Sequence, residues 1–312
     1  MEQKAIQVGA AVLALALLLR LGSAWENGRK ELGRTLMFFS SGRLVTETIP
    51  AETETLSTEP VEETAAPVFG SHEESFVQVN APWTVDTLAL LRQPLTWQLK
   101  GEEPTVLIVH THGTESYEAD GTYQETSPYR TMDTDHNMVS IGQRVAEILE
   151  AGGIRVIHDR SLHDYPAYND AYANARQSIS QILAENPSIC LVLDLHRDAA
   201  EDDSGNQIAH TVEADGQEAA KFMLVLGSDI GGLEYPNWQE NLALGLKLQH
   251  TLETIAPGSC RSMNFCGQRY NQDLSAGALL VEVGSAGNTH SQAMNSMELL
   301  AKAIVFLAEG SQ

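Results

Sequence analysis

Basic residues are what this chain has least of: 19 Lys and Arg stand against 42 Asp and Glu in 312 residues, a formal net charge of −23. Nucleic-acid binding rests on cations that neutralise phosphates, so this balance argues against nucleic acid as a partner. It argues equally against adhesion of the soluble part to anionic lipid. Cysteine is scarce too: three cannot make a disulfide framework, and none has the spacing of a zinc ribbon. Cys190 lies in an apolar run and reads as a small buried hydrophobe. Cys260 and Cys266 are close enough to bridge a short loop, or to stand as two unconnected thiols. No internal repeat is present. The hydrophobic share, 43%, is that of an ordinary folded protein.

Along the chain, Ala5–Leu19 is apolar apart from Gln7, with Lys4 before it and Arg20 after. Snorkelling of the two cations, with Leu21 and Gly22 added, brings the stretch to the roughly 20 residues of a bilayer span. Gly22-Ser23-Ala24 resembles a signal-peptidase site, but Arg20 close to it and the long spacer that follows favour an uncleaved single-pass anchor over residues 1–24. Either reading exports the bulk of the chain, so a cell-membrane location with the folded part extracytoplasmic is expected. Residues 40–80, centred on Thr46–Glu74, are rich in Thr, Glu, Pro and Ala. Such a segment buries too little apolar surface to offset its ordering entropy and reads as a disordered, extended linker. The folded domain is expected over residues 100–310. There strand-like runs (Val106–Val109, Ile154–His158, Ile189–Leu195, Lys221–Leu226, Ala278–Val283) alternate with helical patterns (Asn137–Ala151, Tyr172–Ala184, Glu240–Ile255, Ser291–Ala308). This alternation predicts an α/β fold, a mostly parallel sheet flanked by helices.

Chemistry gathers at the carboxyl ends of three of those strands, where open α/β sheets place their sites. His112 and Glu115 follow the first strand in His110-Thr-His-Gly-Thr-Glu115; His196 ends the third in Asp194-Leu-His-Arg-Asp198; Glu282 interrupts Leu279–Val283. Two imidazoles and a carboxylate suit Zn²⁺, so His112, Glu115 and His196 are the candidate metal ligands. Asp133 and Asp135, just before the first helix, are the alternatives for the carboxylate. Strand alternation puts Asp194 on the face of His196, where it would orient the imidazole. A carboxylate amid apolar residues is rarely structural, so Glu282 is the candidate general base for a zinc-activated water. His110 stays open as a further ligand, a supporting group or an oxyanion stabiliser. His136, His158, His163, His210, His250 and His290 read as surface or structural.

At Thr111–Tyr117 (THGTESY), the helix start NMVSIG, the strand DLHRD and Leu280–Thr289 (LVEVGSAGNT), the chain resembles the stage II sporulation protein P family. These are cell-wall hydrolases of endospore formers, related to zinc-dependent N-acetylmuramoyl-L-alanine amidases. The resemblance covers nearly all of Thr105–Ala308 together with the anchor and spacer. It implies a peptidoglycan amidase, with endopeptidase activity also in view, that thins septal wall during forespore engulfment. It implies stage II sporulation proteins D and M as partners. By position His112 and His196 match the family's zinc histidines and Glu282 its catalytic glutamate. The third ligand of the wider amidase family sits just before the first helix, where this chain has Asp133 or Asp135 rather than Glu; Glu115 remains the choice.

Two rival functions follow from the same residues: a silent wall-binding module with an amidase fold, and a zinc carboxypeptidase. A binder needs no buried general base, so Glu282 speaks against the first. An arginine that clamps a substrate carboxylate would favour the second, with Arg197, Arg261 and Arg269 as candidates.

Overall fold

The computed structural model describes residues 79–80, 85–95, 97–119 and 121–310. The anchor expected at 1–24 and nearly all of the spacer expected at 40–80 lie outside them. Among the described residues, no helix is long and apolar enough to cross a membrane.

Seven strands form the central sheet: β1 (Val79–Asn80), β2 (Val106–Val109), β3 (Val156–His158), β4 (Leu191–Asp198), β7 (Phe222–Leu226), β8 (Met263–Phe265) and β9 (Ala278–Ser285). Their order is β1-β8-β7-β9-β4-β2-β3. All neighbours are parallel except β7 and β9, which meet antiparallel and divide the sheet into two parallel blocks. A separate hairpin pairs β5 (Thr211–Ala214) with β6 (Gln217–Ala220). The expected mostly parallel α/β sheet is present. The last two residues assigned to the spacer, Val79 and Asn80, instead form an edge strand against Met263 and Asn264.

The sheet is clad unequally, and the strand alternation shows why. Ile108 on β2, Leu193 and Leu195 on β4, Val281 and Val283 on β9, and Phe222, Leu224 and Leu226 on β7 share one face and the larger core. Four helices supply the rest of that layer: α1 (Thr87–Leu91), α2 (Met138–Ala151), α4 (Trp238–Ile255) and α5 (His290–Gly310). On the other face, Leu107, Val109, Val192 and Ala278 pack on Ala175 and Ile179 of a single helix, α3 (Ala171–Glu185). Beside it Met223, Val225 and Leu280 are roofed by Cys266, Tyr270 and Tyr172. Period-2 alternation assigns Asp194, His196 and Glu282 to this thinner side, since Leu193, Leu195, Val281 and Val283 are committed to the other.

Local chemistry sets the element ends. Asn137 caps α2 by accepting Val139 N–H at 3.0 Å, and Gly152-Gly153 ends the helix with Gly153 at φ 82°. All three cysteines are free, and Cys260 and Cys266 flank β8 at opposite ends. Extended chain between them holds the sulfurs too far apart for the bridge that their sequence spacing allows.

Candidate active site

β4 and β9 run in parallel register with His196 directly opposite Glu282. β4 continues through Asp198, so His196 stands within the strand rather than beyond it. The register then slips between His196 and Asp198, so that Asp198 pairs with Ser285. On the neighbouring strand, the chain leaves β2 at Val109 and turns through His112 and Glu115. The imidazoles of His112 and His196 meet edge to face with centroids 5.4 Å apart. Glu115 Oε2 lies 3.5 Å from His196 Nδ1. The structure therefore brings together His112, Glu115, His196 and Glu282, all buried. It does not bring Asp133 or Asp135 to them: both are exposed, and Asp133 is bonded to His136 at 2.9 Å.

Asp194 lies beside the His196 ring, on the face its alternation suggested. Its carboxylate lies 2.9 Å from His196 Nε2. The same carboxylate accepts Thr111 N–H at 2.8 Å and Thr111 O–H at 2.6 Å, tying the β2 exit loop to β4. His110 faces the opposite way from His112. Its Nδ1 is 3.1 Å from Leu195 O and its Nε2 2.9 Å from His158 Nε2, and both rings press on Gly142 of α2. His110 is thus a core histidine that fastens β2, β3 and β4, and neither ring nitrogen is free to serve as a ligand.

Several neighbours carry no signal in the sequence that points to a site. Tyr168 stacks on His112 at 4.5 Å and 11°, and Tyr172 meets it edge-on at 5.5 Å. Arg130 lies over the Tyr168 ring at 4.6 Å and bonds Asp164 at 2.8 Å and Glu115 at 3.3 Å. Arg197, expected as a possible substrate clamp, is buried and consumed: it donates to Ser116 O at 3.0 Å and Tyr129 O at 2.9 Å, and sits 3.5 Å from Glu115. Arg269 is likewise tied to Glu234 O and Asp273. The Gly-Ser-Ala-Gly-Asn stretch after Glu282 is a structural turn. Gly284 has φ 68° and a Cβ there would meet Asn288 Oδ1 at 2.6 Å, while Asn288 accepts Ser285 N–H at 2.9 Å.

Charge follows from this packing. Burial pushes the Glu282 carboxyl well above its ordinary value; nearby His196 opposes this, while Asp198 and Glu115 add to it. Burial lowers His112 to about 3, so the ring is neutral with one nitrogen lone pair available. Burial also opposes charge on Glu115, but Arg197, His196 and Arg130 outweigh it and hold the carboxyl well below the usual range. For His196, Asp194 and Glu115 overcome desolvation and raise the imidazole well above 6.5.

The donor set fits a zinc ion in kind. Both ring nitrogens of His112 and Oε2 of Glu282 are buried without a hydrogen-bond partner, as groups that await a ligand are. Two imidazoles and a carboxylate are zinc donors once His196 gives up the proton that Asp194 and Glu115 favour. Their side chains are not drawn to one point: among the described residues no group of three or more His, Cys, Asp or Glu is gathered as a metal centre gathers them. Glu115 is turned to the two arginines.

Known proteins resemble this chain to different degrees. Among solved structures, N-acetylmuramoyl-L-alanine amidase AmiC2 of Nostoc punctiforme is 15% identical at a TM-score of 0.40, over 68% of this chain and 97% of that one. The CwlD amidase of Clostridioides difficile, solved with the GerS lipoprotein, is 16% identical at a TM-score of 0.42, over 66% and 98%. Stage II sporulation protein P of Bacillus subtilis (strain 168) is 28% identical over 202 residues, 61% of this chain and 48% of that protein. The chain thus spans about half the length of that relative. The stage II sporulation protein P (SpoIIP) family model matches residues 29–305. That match takes in β2, β4 and β9 with His112, His196 and Glu282, and the chain belongs to the stage II sporulation protein P family.

Proposed function

We propose that this chain is a peptidoglycan hydrolase of sporulation, a zinc-dependent N-acetylmuramoyl-L-alanine amidase held at the cell membrane by its amino terminus with the catalytic domain extracytoplasmic. The observation that carries the reading is the pairing of His196 with Glu282 across β4 and β9, with His112 and Glu115 beside them. His112, His196 and Glu115 would hold Zn²⁺, which supplies Lewis acidity toward water and an amide carbonyl. Of the two carboxylates in this group, Glu115 is paired with Arg130 and Arg197, whereas the buried Oε2 of Glu282 has no partner and is suited to accept a proton from water. The same oxygen then returns the proton to the leaving amine. Asp194, fastened by Thr111, fixes the His196 ring. Tyr168 and Tyr172 wall His112 against solvent. Membership of the family supports stage II sporulation proteins D and M as partners and septal wall at engulfment as the substrate.

The test is digestion of purified peptidoglycan by the full chain with Zn²⁺, beside Glu282→Ala, with mass spectrometry of the products. Free stem peptides and peptide-less glycan, lost in the variant, are expected. Release of single terminal amino acids instead would replace the amidase by the carboxypeptidase. Wall binding with no cleavage at any zinc concentration, with or without the partners, would leave a binding module.

A further inference from the structure

Resting on the reading of this site as one that hydrolyses an amide of wall stem peptides, we infer that Arg261 is its carboxylate-recognition residue. Three arginines around the site have their guanidinium groups spent on the protein. Arg197 donates through Nε, Nη1 and Nη2, Arg130 bridges Asp164 and Glu115, and Arg176 grips Asp273 with both terminal nitrogens. Arg261 differs. Its Nη1 donates to Asp198 Oδ2 at 2.5 Å, and no other guanidinium N–H has a partner among the described residues. The side chain is 18% exposed, whereas Asp198 beneath it is 4% exposed.

A buried carboxylate thus aims a guanidinium with most of its five donors unused. Its place is set by the backbone. Arg261 N–H bonds Phe222 O at 2.7 Å, and Phe222 pairs with Val283, the residue after Glu282. Asp198 stands two residues beyond His196, next to Ser285 of β9. The unused donors are therefore anchored on Asp198, whose charge acts on Glu282, on a chain whose overall charge repels anions. An arginine fork takes a carboxylate through two parallel N–H···O bonds. In a wall peptide two carboxylates offer themselves, the α-carboxylate of the D-glutamyl residue and the chain's own carboxyl terminus.

The experiment measures binding by calorimetry to the full chain carrying Glu282→Gln, so that nothing is cleaved. The probes are N-acetylmuramoyl-L-alanyl-D-glutamate as the diacid, its α-amide and its diamide. The diacid is expected to bind about tenfold or more tightly than at least one amide, the strength of a charge-assisted hydrogen bond. Arg261→Gln should abolish that preference by weakening the diacid alone. Because Arg261→Gln leaves Asp198 buried and unpaired, the same comparison is made in Asp198→Asn/Arg261→Gln, which removes both charges. Loss at the α-amide step identifies the D-glutamyl carboxylate; loss only at the diamide identifies the carboxyl terminus. Equal affinity for all three probes, or a preference that survives both variants, overturns the role of Arg261 and leaves the peptide site standing. No binding of any probe overturns the underlying reading as well.

Discussion

Glu282 and His196 face each other in parallel register across β4 and β9, on the side of the sheet clad by α3. The register has to be right to one residue. A slip of either strand by one would turn its member of the pair toward the core formed by Leu195, Val281 and Val283. The pair therefore depends on every apolar contact that pins the two strands.

Replacing Glu282 should separate activity from stability. The carboxylate is buried with Oε2 unpartnered, so the fold bears a cost for it. Glu282→Gln is expected to lower hydrolysis about a hundredfold or more, as loss of a general base does. The same variant should unfold at an equal or higher temperature. A melting curve and a hydrolysis rate on one preparation check both.

Gly142 should refuse alanine although it lies in a helix. A Cβ there would meet His110 Nε2 at 2.4 Å and His158 Nε2 at 2.7 Å. Gly-to-Ala within a helix ordinarily stabilises by about 1 kcal/mol. Here overpacking of two buried rings should reverse the sign and cost about 2 kcal/mol, read as a lowered denaturant midpoint. Gly142→Ala in His158→Ala should recover part of the loss.

His158 should make the fold sensitive to mild acid. Burial, with His110 and Arg160 adding, lowers its pKa to about 3, whereas the unfolded chain titrates near the ordinary 6.5. Between those values the unfolded state binds the proton and the native state does not, so stability rises with pH. The contribution is complete above 6.5 and is lost as pH falls toward 3. From pH 7 to 5.5 it should amount to about 1 kcal/mol. Urea unfolding of wild type and His158→Gln at the two values should show a shallower pH dependence in the variant.

Arg197 should not tolerate lysine. Its three nitrogens hold Ser116 O, Tyr129 O and Glu115 in one plane, which an ammonium cannot reproduce. Arg197→Lys is expected to destabilise by about 3 kcal/mol. It should also open the chain between Tyr117 and Tyr129 to limited proteolysis. Unchanged cleavage there would remove Arg197 as the fastener of that loop.

The sequence by itself determined what depends on near neighbours in the chain. Apolar runs such as Val106–Val109 and Ala278–Val283 are strands wherever they pack, and the helical spacing after Asn137 meets its own cap and its Gly-Gly stop. His112 follows the end of β2, and His196 and Glu282 stand in the carboxyl-terminal halves of β4 and β9, so parallel strands deliver them to one side of the sheet. Only the tertiary structure decided what depends on partners far along the chain. It turned β7 antiparallel to β9, set Glu115 beside His196 while leaving Asp133 and Asp135 exposed, and sent His110 into the core against His158. It also spent Arg197 on the protein while anchoring Arg261 on Asp198 with other donors unused, and β8 set Cys260 and Cys266 apart. Strand alternation fixes which residues share a face, but long-range pairing decides which face is core, and hence whether a histidine or an arginine is structure or chemistry.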